Sequence, residues 1–153
     1  LVDGRVPLLI EVKSHDKNLG PDVGPLEESV ARALEGYGGP VAVMSFNPHS
    51  VRHLAELCPD IPRGLVTEYY DPQECGLPPE ICAHHNAIAA YDEVGCSFIS
   101  HDWRDLRRPR VSELKSQGAN ILCWTVKSPT DEAEARKIAQ NITFEQYLAP
   151  FPS

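Results

Sequence analysis

Glu11 and Lys13 stand one residue apart at the end of an apolar run, Pro7-Leu8-Leu9-Ile10, and polar Ser14 and His15 follow. The run is rich in β-forming residues and reads as a short strand over about Leu8 to Lys13, buried on both faces as in a parallel sheet. Strand residues two apart point the same way. A carboxylate and an ammonium therefore project side by side from the strand's C-terminal end. Charges there are expensive as packing, but they are common in barrels whose active site lies at the C-terminal face of the sheet. A surface ion pair where the strand leaves the core would give the same spacing.

Other residues compete for attention. His49 and His53 are four apart on a candidate helix, a spacing that can hold a metal, but the metalloprotease pattern needs Glu after the first His and Ser50 stands there. Cys82 and His85, with Cys75 nearby, have no second Cys-x-x-Cys to complete a zinc site. His101-Asp102 directly follows a candidate strand. A His beside an Asp there can serve proton transfer, or it can form a loop with a helix cap. No Gly-x-Gly-x-x-Gly and no phosphate-binding P-loop occurs.

The elements that must position these residues alternate along the chain. Strands are expected at 8–13, 41–46, 64–68, 96–100, 119–126 and, short, at 141–144. Helices are expected at 26–37, with Val30, Ala33, Leu34 and Tyr37 on one face, and from Asn47-Pro48 to about Cys58, with Asn47 as cap and Pro48 at the first helical position. Three more are expected at 79–93, 110–117 and 129–140. An Asp3-Gly4 turn precedes the first strand. Strands separated by helices argue for βαβ units and a parallel sheet, either open and doubly wound or part of a (β/α)8 barrel.

Composition sets the limits. The sequence has 153 residues, 42% hydrophobic and 24% charged, in the range of a soluble single domain. A formal net charge of −8 counts against binding a nucleic-acid backbone. No apolar run approaches a membrane span, and no secretory leader opens the sequence. Five irregularly spaced cysteines read as reduced thiols in a cytoplasmic protein.

Four segments together resemble glycerophosphodiester phosphodiesterases: Pro7-Leu8-Leu9-Ile10-Glu11-Val12-Lys13, Ser45-Phe46-Asn47, Cys123-Trp124-Thr125-Val126 and Asn141-Ile142-Thr143. They come in the family's order, and the resemblance covers essentially the whole chain. It implies a TIM-type (β/α)8 barrel that binds a divalent metal, Mg²⁺ or Ca²⁺, and hydrolyses glycerophosphodiesters to an alcohol and glycerol 3-phosphate in glycerophospholipid metabolism. It further implies that Glu11 is a metal ligand, that Lys13 is a catalytic residue beside the phosphate, and that Phe46 and Trp124 line the substrate pocket, with the Trp124 indole N–H free for a substrate oxygen. These roles suit the residue types: a hard divalent ion prefers carboxylate oxygen, and a phosphodiester oxygen prefers a cation.

The departures from the family are as informative. Its His-Arg-Gly opening, its Glu-x-Asp metal ligands and its first His-Asp motif all precede Leu-x-Ile-Glu-x-Lys, where this sequence has only Leu1 to Val6. A barrel takes ~250 residues, so two or three units of ~30 residues are expected to be missing. The chain then represents about six of eight βα units, a single incomplete domain over 1–153, and would be inactive alone. His101-Asp102 resembles the family's His-Asp-x-x-Leu locally but in the wrong order, and it is read as a loop after its strand with no acid/base role. Open barrel edges are a liability, which calls for an N-terminal segment or a second copy to cover them. Two functions remain: a metal-dependent phosphodiesterase, or a non-catalytic barrel remnant that binds a phosphate ester or a partner chain.

Overall fold

A computed structural model describes residues 2–15 and 18–150. They form two compact units, the described residues up to 66 with 90–97, and residues 67–89 with 98–150. Among the described residues no helix is long and apolar enough to cross a membrane.

The first unit carries β1 (Leu8–Glu11), α1 (Pro25–Leu34), β2 (Val41–Ser45), α2 (Pro48–Leu57) and most of β3 (Arg63–Thr67). β1 pairs parallel with β2 from Leu8↔Val41 to Glu11↔Met44, and β2 pairs parallel with β3 from Val43↔Arg63 to Ser45↔Leu65. Strand order follows chain order, with a helix in each parallel connection. Val12, Val43 and Leu54 form the core, with Ile10, Val30, Leu34, Cys58 and Ile61 packed against them. Ala33, expected on the buried face of α1, is exposed, because the helix ends at Leu34 and Val30 and Leu34 alone carry the contact. Asp3 and Gly4 form the expected turn, both at positive φ. β1 is less covered than expected: Leu9 is 40% exposed, since the strand has a sheet partner in this unit along one edge only.

Helix placement follows from capping chemistry. Asn47 caps α2 by accepting from the His49 N–H, and Pro48 takes the first helical position. α1 has no side-chain cap. Instead Glu27 is buried and accepts from the Gly24 N–H at 2.8 Å and the Ser50 hydroxyl at 2.6 Å, which ties α1 to α2. Burial raises the Glu27 pKa, and the Ser50 and backbone hydrogen bonds outweigh it and hold the carboxyl below its usual range.

The second unit carries α3 (Pro79–Asn86), β4 (Phe98–Asp102), a 3-10 turn (Trp103–Asp105), α5 (Pro109–Ser116), β5 (Asn120–Val126), α6 (Pro129–Ala135) and β6 (Asn141–Phe144). β4, β5 and β6 are parallel and in chain order. Ile99, Val111, Leu114, Ile121, Cys123 and Val126 are fully buried. The helix expected over 79–93 is two: it breaks after Asn86, Ile88 takes a left-handed φ of 48° with its side chain buried, and α4 (Ala90–Glu93) restarts in the first unit.

Two sequence expectations fail in the second unit. Cys75 and Cys82 are joined as a disulfide, so only Cys58, Cys96 and Cys123 remain thiols. His101 and Asp102 are not loop residues. They are the last two residues of β4, in register with Cys123 and Trp124 of β5, and both are buried. The pairing partner, invisible in the local sequence, extends the strand through a polar pair.

Candidate active site

At the C-terminal end of β1, Lys13 Nζ lies 2.6 Å from Glu11 Oε1, with Val12 buried between them. The Lys13 side chain is 77% exposed and that of Glu11 27%. The pair therefore stands on one face of the chain, as the two-residue spacing requires. Such an exposed ion pair contributes little to stability, roughly 0–1 kcal/mol.

What holds this strand end is buried. The Ser45 hydroxyl donates to the Val12 carbonyl at 2.6 Å and accepts from the Asn47 N–H at 3.2 Å. Asn47 Nδ2 donates to Ser14 Oγ at 3.0 Å and to the Gly20 carbonyl at 2.9 Å, while its Oδ1 caps α2. Both side chains are fully buried. Ser45 and Asn47 thus fasten the segments on either side of Lys13 to the start of α2. Sequence reasoning gave Asn47 its cap role but not its bonds to Ser14 and Gly20, and gave Ser45 no role, because those partners lie 27 and 33 positions away. Phe46, between them, is half-buried.

In the second unit the strand ends carry a different chemistry. His101 is fully buried, with Nδ1 2.8 Å from Thr67 Oγ1 and Nε2 3.3 Å from Asp105 Oδ2. Burial pulls its pKa down, and the Asp105 hydrogen bond and charge oppose this without reversing it. Burial thus disfavours the charged imidazolium, and both ring nitrogens are occupied. Asp102 caps the 3-10 turn through the Arg104 N–H and receives Arg104 Nε and Nη2, the latter at 2.6 Å. Burial raises the Asp102 pKa, but the bonds from Arg104 outweigh it and keep the carboxyl below its usual range.

Glu68, which the sequence analysis placed at a strand end and passed over, follows β3 directly. Burial, and then the neighbouring Asp102 charge, push its pKa up, with Arg104 pulling the other way. A carboxyl with raised proton affinity beside a low one is an arrangement that acid/base sites use. No local motif marks it.

Trp124 is half-buried and lines a hollow with Trp103, Arg104, Thr125, Lys127 and Asp131. Its N–H is not free for a substrate: it donates to the Ser100 carbonyl at 2.9 Å. That bond fixes the indole and leaves its face as the usable surface. Val126, two residues on, is fully buried, and the β5–β6 register shifts between Cys123 and Val126. The structure thus joins Glu11 and Lys13 in the first unit, with Phe46 two residues beyond Met44 at the end of the neighbouring strand, and joins Asp102, Arg104 and Trp124 in the second.

No protein-family model and no curated protein matches the sequence. Solved structures do match. A glycerophosphodiester phosphodiesterase from Parabacteroides distasonis is 20% identical with a TM-score of 0.59, over 89% of this chain and 52% of that one. An Oleispira antarctica phosphodiesterase in complex with the product sn-glycerol-3-phosphate is 19% identical with a TM-score of 0.56, over 78% of this chain and 46% of that one. The chain has their fold. It is an α/β chain of the (β/α)8, TIM-barrel type, and it spans about half the length of the structures it matches.

Proposed function

We propose that the protein hydrolyses glycerophosphodiesters to an alcohol and glycerol 3-phosphate, in glycerophospholipid metabolism, and that this chain supplies part of the active site. The observation that carries this reading is the exposed Glu11–Lys13 pair at the C-terminal end of a parallel strand, in a chain that shares the fold of known glycerophosphodiester phosphodiesterases. Lys13 neutralises a phosphate oxygen and stabilises the charge that grows there in the transition state. Phe46, at the end of the strand beside Glu11 and Lys13, is a wall for the organic part of the substrate, and the face of Trp124 is an apolar surface of the second unit. His101 and Asp102 hold the second unit's strand ends in place.

The resemblance also implied Mg²⁺ or Ca²⁺ on Glu11. Such ions take six or more oxygens. Glu11 offers one carboxylate, with one oxygen already held by Lys13, and no group of three His, Cys, Asp or Glu that could hold an ion occurs among the described residues. These residues do not make a metal site by themselves, and the roles assigned here run through Lys13 and the aromatic walls. The cytoplasmic setting is supported by three thiols and opposed by the Cys75–Cys82 bridge.

The second reading is a barrel remnant that binds a phosphate ester or a partner chain without turnover. Glycerol 3-phosphate release from a panel of glycerophosphodiesters by the full-length protein separates the two. Release that Lys13→Ala removes supports the hydrolase. Diester binding by calorimetry with no release supports the remnant.

A further inference from the structure

The hollow beside Trp124 has a composition that selects among ligands. Its volume is about 320 Å³, room for one sugar-sized ring. Two indoles, Trp103 and Trp124, supply apolar faces. Trp103 makes no hydrogen bond among the described residues, whereas the Trp124 N–H is taken by Ser100. The Arg104 side chain is 71% exposed, and Asp102 engages its Nε and Nη2, leaving N–H groups of the five-donor guanidinium for a ligand. Lys127 is half-exposed and only loosely paired, 3.9 Å from Glu145. Asp131 gives one oxygen to the Ser128 hydroxyl, which leaves the other as an acceptor.

Charge decides between candidate ligands. Arg104 is balanced by Asp102, and Lys127 and Asp131, of opposite charge, both line the same hollow. A quaternary ammonium favours an aromatic site free of other cations, and here it would meet a guanidinium and an ammonium. A free anion would meet the Asp131 carboxylate. A neutral polyol meets neither obstacle: its C–H face packs on an indole, and its hydroxyls both donate to Asp131 and accept from Lys127 and Arg104.

We infer that this hollow is a subsite for a neutral polyol, an inositol- or sugar-like group, either free or as the alcohol of a diester. As an alcohol-leaving-group subsite it rests on the hydrolase reading above; as a polyol site it does not. Trp103 and Trp124 are the two tryptophans of these 153 residues, so the fluorescence change that the full-length protein loses on Trp103→Phe or Trp124→Phe substitution is the signal from this hollow.

The test titrates that fluorescence with myo-inositol, choline, inorganic phosphate, glycerophosphoinositol and glycerophosphocholine, and measures hydrolysis of the two diesters in parallel. Saturable change with myo-inositol and with glycerophosphoinositol, and none with choline or phosphate, is expected. A response to the diester alone assigns the hollow to the leaving group, and an equal response to both assigns it to free polyols as well. Asp131→Asn and Lys127→Gln should each weaken the response about tenfold, the worth of one hydrogen bond to a charged group, with unchanged melting temperature. Saturation by choline or phosphate in preference to inositol overturns the inference, and hydrolysis of glycerophosphocholine at the higher kcat/KM overturns the leaving-group assignment. Fluorescence saturation by glycerophosphoinositol without hydrolysis of either diester overturns the hydrolase reading and leaves the polyol site standing.

Discussion

The two units end their strands in opposite ways. In the first, Lys13 at the end of β1 is exposed and Glu11 partly so, while neutral Ser45 and Asn47 nearby are buried and hydrogen-bonded. In the second, the ionisable residues at the end of β4 are themselves buried, and His101 and Asp102 spend their polar atoms on Thr67, Asp105 and Arg104. A charge already satisfied by its own fold costs stability when removed and has little left for a ligand. A charge in solvent, fastened by a rigid base, is cheap to remove and free to act. On the function proposed above, the polar groups at the first unit's strand end divide into a support and a reagent, while those of the second unit are mainly support, beside the aromatic hollow proposed as its ligand surface.

That division sets an order of effects. The largest stability loss is expected for Asn47→Ala, which leaves α2 without its cap and the Ser14 and Gly20 segment without its anchor: about 3 kcal/mol, the sum of a cap and buried hydrogen bonds, seen as a lower urea midpoint. Retention of the full midpoint would mean that the loop holds itself.

His101→Gln is expected to cost about 2 kcal/mol at neutral pH, from a buried hydrogen-bonded group, and to change the pH dependence. The folded imidazole has a lowered pKa, so the unfolded chain binds the proton first. Stability should be fully present above the ordinary histidine range and fall as pH drops through it. Melting temperature against pH for wild type and His101→Gln should converge toward acid. Parallel curves would place the titration elsewhere.

Trp124→Phe keeps the ring packing and loses the bond to Ser100. It should cost about 1 kcal/mol and chiefly raise KM. A stability loss with unchanged kinetics would make Trp124 a core residue only.

How much of this was legible in the sequence differs between the units for the same physical reason. The Glu11–Lys13 pair, the Asn47 cap and Pro48 are local signals, set by neighbours in sequence, and they stand where spacing puts them. The strand positions of His101 and Asp102 depend on Cys123 and Trp124 across the sheet and on Thr67 and Asp105, so a polar dipeptide read alone looks like a loop. The Trp124 N–H was expected to be free because its acceptor, Ser100, lies 24 residues away. The Cys75–Cys82 bridge and the register shift in β5 left no local mark.

The account rests most directly on Lys13. Lys13→Ala in the full-length protein should change the melting temperature hardly at all, since an exposed ion pair is worth under about 1 kcal/mol, and should lower kcat for glycerophosphodiester hydrolysis about 100-fold, the usual loss for one group that stabilises transition-state charge. Steady-state kinetics and a thermal melt on the same preparation measure both. Unchanged turnover, or a loss of turnover that only tracks a loss of fold, would contradict the claim that this strand end is the reagent.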